Sequence, residues 1–209
     1  TIAHMSDNLS ARNSLDQWVS CPTVSRETNL PLIDWVEAYL TSHGIPCQRH
    51  VKVDEPTKAA LFAHVGPEQD GGVVLSGHTD VVPVDGQPWV TDPFVVTEKD
   101  GKLFGRGTTD MKGFDALAIW TMVAAHPRGV TRPLQIALSY DEEIGCAGAP
   151  PLTAALQGVV PPAATVIVRE PTTPTAVTGP KGGHTCWVHV HGFEVHSSST
   201  PNGVNAITY

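Results

Sequence analysis

Three apolar runs in this chain end in side chains that can hold a proton or a cation. Val73-Val74-Leu75 leads to His78 and Asp80, "RPLQIALSY" runs into Asp141-Glu142-Glu143, and "ATVIV" runs into Glu170. Each run has the length and apolar character of a buried strand. Helical spacing recurs between them, so strands alternate with helices, and the expected fold is α/β with a largely parallel mixed sheet flanked by helices. In an open α/β sheet, sites form outside the carboxyl ends of the strands. Such a topology would bring these residues to one edge although they lie far apart in the chain. Asp110 would join them from the Gly-rich stretch "FGRGTTDMKG", just ahead of a helix.

The rest of the chain reads as follows. In "NLPLIDWVEAYLTSHGI", Leu32, Ile33, Val36, Tyr39 and Leu40 share one helical face, and Gly44 offers a stop. Two strands are expected in "RHVKVDEPTKAALFAHVG", with Ala59 to Val65 in the core. "EKDGK" suits a hairpin turn between Val95-Val96 and Leu103-Phe104. "MKGFDALAIWTMVAAH" is expected to be a buried helix using Phe114, Leu117, Ala118, Thr121, Met122 and Ala125, and "APPLTAALQ" a short helix. The composition changes after "GPKGG". "HTCWVHVHG" alternates Cys186, Val188 and Val190 against Trp187, His189 and His191, as a strand with one buried face would, and "GVNAITY" resembles a helix opening. A boundary near Gly182 therefore divides a first unit, 5–181, from a second, 182–209. Residues 1–4 are read as a vector remnant ahead of Met5.

A chain of 209 residues can bury a sizeable core. Its 13 basic and 21 acidic residues give a net charge of −8, which argues against nucleic acid or an anionic membrane surface as a partner. Cys21, Cys47, Cys146 and Cys186 form no CxxC pair, so free thiols in a reducing, cytoplasmic setting are expected. No run approaches the ~18 apolar residues of a membrane span. The opening "TIAHMSDNLS" lacks the basic start and apolar core of a signal peptide.

One His among several carboxylates makes a hard-to-borderline donor set, suited to Zn²⁺, Co²⁺ or Mn²⁺. Carboxylates crowded without a cation repel, and their proton affinities rise. Two divalent ions sharing one carboxylate, ~3.5–4 Å apart, would relieve that and could activate water. Taken singly the signals are weak. A His at a strand end is commonly a hydrogen-bonded core residue, and "DEEIG" alone could be a helix start, where acids are favoured. The joint pattern carries the reading.

"SGHTDVVPVDGQPWVTDPF", "LFGRGTTDMKGF", "ALSYDEEIGCAGA" and "VREPT", in that order, closely resemble the dinuclear-zinc amidohydrolases. That family includes acetylornithine deacetylase, succinyl-diaminopimelate desuccinylase, aminoacylase and glutamate-releasing carboxypeptidases, and the wording is most similar to the first. The resemblance implies a zinc-peptidase-like catalytic domain followed by the beginning of an α+β lid, or dimerisation, domain. It implies hydrolysis of N-acetyl-L-ornithine to ornithine and acetate, with a sister activity on succinyl-diaminopimelate, N-acyl amino acids or dipeptides as the alternative.

By the same resemblance His78 is a metal ligand, Asp80 the acid that fixes its tautomer, and Asp110 the bridging carboxylate, followed by a cis peptide bond. Glu142 is the general base, and Glu143 and Glu170 are ligands. His78, Asp110 and Glu170 would hold one Zn²⁺ (or Co²⁺), and Asp110, Glu143 and a later His the other. His196 would reach a partner subunit's site in a homodimer and stabilise the oxyanion. The HxH pair His189 and His191 has no counterpart in the family pattern and is not assigned to metal. Arg169 replaces a small residue and is unexplained. The later His belongs to a C-terminal segment that has no match before Tyr209. The chain is accordingly expected to be a fragment that binds one metal or none and has little activity alone.

Overall fold

The computed structural model describes residues 9–173, 175, 177 and 187–208. Helix α1 (Ala11–Ser20) starts where the Ser10 side chain accepts from the Asn13 N–H, satisfying one of the donors that a helix start leaves open. Helix α2 (Leu30–Ser42) has a proline in its first turn and buries all five of the residues expected on its inner face. Strands β1 (Cys47–Val51) and β2 (Ala59–Val65) follow, then β3 (Val73–His78). Next come a hairpin of β4 (Thr97–Lys99) and β5 (Lys102–Phe104), helix α3 (Lys112–Ala125) and strand β6 (Leu134–Ser139). Helix α4 (Ala149–Leu156) and strand β7 (Thr165–Val168) complete the alternation.

The main sheet has the order β1-β2-β6-β3-β7. Strand β3 pairs in parallel with both β6 and β7, while β2 is antiparallel to β6 and to β1. β2 is thus the one strand that runs against the other four, and the sheet is mixed and mainly parallel, as expected. The register His78↔Ser139 and Ser76↔Val168 ends the three neighbouring parallel strands together. Their carboxyl ends therefore form one edge.

Helices α1, α2 and α3 pack with β2, β3 and β6 around a core containing Trp18, Ile33, Leu40, Leu61, Ile119 and Ile136. Helix α3 is rotated from its expected face. Lys112, Asp115, Ala116, Ala118, Ile119, Met122 and Val123 point inward, Ala118 and Met122 among them as expected, whereas Leu117 and Thr121 are exposed and Phe114 and Ala125 are only half-buried. The helix is apolar almost all round, so spacing alone does not choose the face. Its contacts with α1 and β3 do. The hairpin turns at Asp100 and Gly101, both at positive φ (51° and 69°), the geometry that fits the twist of two short strands. Pairing runs from Thr97↔Phe104 to Lys99↔Lys102, so the first strand begins just after the expected Val95-Val96. Strand β7 is as apolar as expected, yet Val166, Ile167 and Val168 are exposed.

The chain divides into two units, Thr1–Pro174 and Thr175–Tyr209. The expected boundary at Gly182 lies outside the described residues, as does Cys186. In the second unit residues 187–190 form no strand, and Val188 and Val190 are exposed. Alternation makes a strand only where a neighbouring strand supplies hydrogen bonds. The bridge described here joins Phe193 to Val204 instead. Residues 206–208 form a turn rather than a helix start, with Asn205 Oδ1 accepting from the Ile207 N–H at 2.8 Å. No described helix is long and apolar enough to cross a membrane.

Candidate metal centre

Strand β3 delivers His78 to the middle of the sheet edge. Gly77 precedes it because α3 crosses closely there: a Cβ on Gly77 would lie 1.9 Å from Asp115 Oδ1. The loop after β6 brings Glu142 and Glu143 to one side, and the loop after β7 brings Glu170 to the other. Asp110 arrives from the stretch before α3, where Gly107 at φ +83° permits a turn against Val81. The Asp110–Met111 peptide bond is cis, as expected.

His78 Nε2 faces Asp110 Oδ1 at 3.3 Å, Glu142 Oε2 at 3.8 Å and Glu170 Oε1 at 3.9 Å. One ligand atom each from His78, Asp110 and Glu170 falls within a 4.8 Å group, a set able to hold a divalent ion. Glu143 lies outside that group. It shares with Asp110 the lining of a cavity of about 230 Å³ that Val82 and the 105–109 loop also border. On the other side of the ring, His78 Nδ1 faces the Asp80 backbone carbonyl at 3.0 Å and Asp80 Oδ1 at 3.4 Å.

The Asp80 carboxylate has a second task. Its Oδ2 accepts from Ser25 Oγ at 2.7 Å and from the Glu143 N–H at 3.3 Å, and its Oδ1 from the Glu142 N–H at 3.0 Å. Asp80 thus ties the turn carrying both glutamates to the His78 loop. Burial pushes its carboxyl up, but hydrogen bonds from His78, Ser25 and the Glu142 amide outweigh that and hold it at about 2. Burial likewise pulls the His78 imidazole down, and its hydrogen bonds to Asp110 and Asp80 carry it to about 11.

The outer carboxylates behave differently. Burial and then the Asp110 charge raise Glu170 to about 7, and the same two causes raise Glu143. Asp110 is lowered, chiefly by its hydrogen bond with His78. One imidazole does not neutralise this many acids. A divalent cation would, and the nitrogen and oxygen donors present fit one.

Several supports were not legible in the sequence. Residues 23–25 run beside 79–81, with Ser25 N–H donating to Val81 O and Val81 N–H to Thr23 O, both at 3.0 Å. Lys58 Nζ donates to Asp141 Oδ1 at 2.7 Å, with both side chains buried. Lys112 Nζ donates to Cys21 O at 2.6 Å, and burial depresses it to about 8. Asp115 is buried beneath Gly77, which raises its carboxyl well above the usual range. Lys112 lies within "LFGRGTTDMKGF" and Asp141 within "ALSYDEEIGCAGA", but no spacing there marks either side chain as inward, and Ser25, Lys58 and Asp115 lie outside the four stretches that resemble the family.

His196 lies in the second unit. It is exposed, its Nδ1 sits 2.9 Å from Ser198 Oγ, and it accepts from the Ser198 N–H. His189 and His191 are exposed too. The guanidinium of Arg169 folds back on the Glu170 carbonyl, Nη1 to O 3.1 Å.

Comparison with known proteins agrees with this geometry. The chain is 41% identical over 181 residues to an acetylornithine deacetylase of Pectobacterium carotovorum subsp. carotovorum, covering 87% of this chain and 46% of that protein. It is 38% identical over 208 residues to that of Myxococcus xanthus, covering 97% and 53%. The chain thus spans about half the length of the curated relatives it matches. Among solved structures, an M20 family metallo-carboxypeptidase, Sso-CP2 from Sulfolobus solfataricus, shares the fold at a TM-score of 0.64 with 18% identity, over 77% of this chain and 37% of that one. The model of peptidase family M20/M25/M40 matches residues 74–207, a span that begins inside β3 and takes in His78, Asp110, the glutamate turn and Glu170. Those are the residues that the sheet edge gathers, and the chain belongs to this family.

Proposed function

We propose that the complete protein is a metal-dependent amide hydrolase that converts N-acetyl-L-ornithine to ornithine and acetate, a step of arginine biosynthesis in the cytoplasm. The observation that carries the chemistry is the convergence of Asp110, Glu142 and Glu170 on His78 Nε2 at the sheet edge. The choice of substrate is supported by the 36–41% identity to proteins named acetylornithine deacetylase.

His78, Asp110 and Glu170 would hold one divalent ion, zinc or cobalt, and Asp110, Glu143 and a further His the second. When bound, such a pair supplies Lewis acidity and makes water easier to deprotonate. Glu142 takes the proton of the attacking water at a carboxylate oxygen and returns it to the leaving amine. The division of the two adjacent acids into base and ligand follows the resemblance, and the cavity that Glu143 lines with Asp110 supports its part as a ligand. Asp80 holds the His78 ring by Nδ1, leaving Nε2 for the cation. In a homodimer, His196 of one copy would donate to the oxyanion forming at the other's site.

A panel of N-acyl amino acids, succinyl-diaminopimelate and dipeptides, assayed with the complete protein beside a metal count, tests the reading. Turnover of N-acetyl-L-ornithine ahead of the others is expected. Preference for another amide would move the substrate and keep the chemistry. Mixing His196→Ala with Glu142→Ala subunits should restore activity, and none after proven exchange would remove His196 from the shared site.

A further inference from the structure

The turn that carries Glu142 and Glu143 begins with an unusual residue. Asp141 has φ 53°, in the left-handed region that residues with a Cβ seldom adopt, Asp more readily than most. Its carbonyl accepts from the Ala147 N–H at 3.0 Å, and its side chain is anchored as well. Asp141 Oδ1 accepts from Lys58 Nζ at 2.7 Å and from the Arg26 N–H at 2.9 Å. Lys58 stands just before β2, whose neighbour β6 leads into the turn. The Lys58 side chain is 1% exposed and that of Asp141 4%, so water can replace neither partner, and each charge is committed to the other. Beyond Asp141 the next two amides, of Glu142 and Glu143, donate to Asp80. Besides its own backbone hydrogen bonds, the turn is therefore pinned by Asp80 at the amides and by Lys58 and the Arg26 N–H at its first side chain.

We propose that Lys58 is a positioning residue: through its buried ion pair with Asp141 it fixes the turn that aims Glu142 and Glu143. This rests on the reading of Glu142 as base and Glu143 as ligand. Lys58 is buried with its ammonium on Asp141, so it would act through that residue rather than on metal or substrate. Its loss removes the charged anchor of Asp141 and loosens the turn, so that the glutamates are held less firmly, while His78, Asp110 and Glu170 stay in place. The ion held by those three should be indifferent to Lys58, and the ion that depends on Glu143 should not.

The test uses the complete protein loaded with Co²⁺, with stepwise binding followed by absorbance, beside kcat, KM and thermal unfolding. In Lys58→Met the first cobalt should bind as in the wild type. The second should bind ~10–100-fold more weakly, the loss usual when a support behind a ligand is removed, and kcat should fall while KM holds. Lys58→Arg should restore both. Because a lone buried carboxylate could unfold Lys58→Met, the double variant Lys58→Met/Asp141→Asn removes both charges while the Asn side chain keeps an oxygen for the Arg26 N–H and tolerates the positive φ. It should keep the wild-type melting temperature and still lose the second cobalt. A double variant with wild-type melting and wild-type affinity for both ions overturns the proposal, as does equal weakening of both ions in Lys58→Met or a single cobalt site in the wild type. Absence of turnover on every N-acyl amino acid would instead remove the proposed function, and the cobalt titration would still judge Lys58.

Discussion

The site has a buried floor and an open rim. The His78 and Asp80 side chains are each 2% exposed, whereas those of Asp110, Glu142 and Glu170 are 36–42% exposed. Floor residues have protein partners on several sides: Ser25 and two amides on Asp80, the Asp80 carbonyl on His78. The rim acids face chiefly the His78 ring and one another. Folding alone therefore sets the floor, while the rim carries repulsion that protonation or an added cation relieves. Accordingly, substitutions on the rim should change chemistry without changing stability, and substitutions in and under the floor should do the reverse or both.

The largest effect is expected at Glu142. Glu142→Ala in the complete protein should lower kcat by roughly 10²–10⁴-fold, the usual contribution of a positioned base, with metal content and melting temperature unchanged. Loss of metal equal to that in Glu143→Ala would show that the two acids share one role and would erase the division between base and ligand.

Stability should sort in the opposite sense. Leu61 of β2 is fully buried in the core that supports the floor, and Ile167 of β7, the strand leading to the rim acid Glu170, is 41% exposed. Leu61→Ala is expected to cost about 2–5 kcal/mol. Ile167→Ala should cost under ~1 kcal/mol, as exposed substitutions do. Denaturant unfolding of both variants decides it. Comparable losses would mean that β7 is covered in solution.

Asp80→Ala comes next. It removes the acid behind His78 and the acceptor for two amides, so metal affinity should fall by ~10–100-fold without loss of the site. An unchanged titration would leave the floor with no function beyond folding.

The floor and rim were unequally legible in the sequence. His78, Asp110, Glu142, Glu143 and Glu170 could be found because each sits at or near the end of an apolar run or a Gly-rich loop, and parallel pairing brings such ends together. The inner face of α3 could not, because Phe114, Leu117, Ile119, Trp120 and Met122 make nearly every side apolar, and the winning face contains Lys112 and Asp115. Lys58, Ser25 and the Arg26 amide support the site through contacts across the chain that no local pattern encodes. The alternation at 187–190 was misleading for a related reason. A period of two states which side chains share a face, and says nothing of whether a neighbouring strand is there to pair.

The smallest expected effect, and the one that joins floor to rim, is the pH dependence of the metal-free protein. Glu170 is raised from 4.5 to about 7, so the folded state favours its protonated form, and stability falls as pH rises between those values. His78 is raised from 6.5 to about 11; its contribution is fully present below 6.5 and is lost as pH rises through 11. Asp80 is lowered from 3.8 to about 2, so its contribution is present above 3.8 and is lost only as pH falls through 2. Between pH 5.5 and 8 the first two groups act in the same direction and the third is constant. With metal chelated, the melting temperature should therefore be lower at pH 8 than at 5.5. Saturating zinc or cobalt should reverse the order, because protons compete with metal for the imidazole and the carboxylates, and binding strengthens as they leave. Thermal unfolding at the two pH values, with chelator and with metal, gives four numbers. A chelated protein that melts higher at pH 8 would show that the rim acids are not crowded, and would remove the electrostatic reason for placing a cation there.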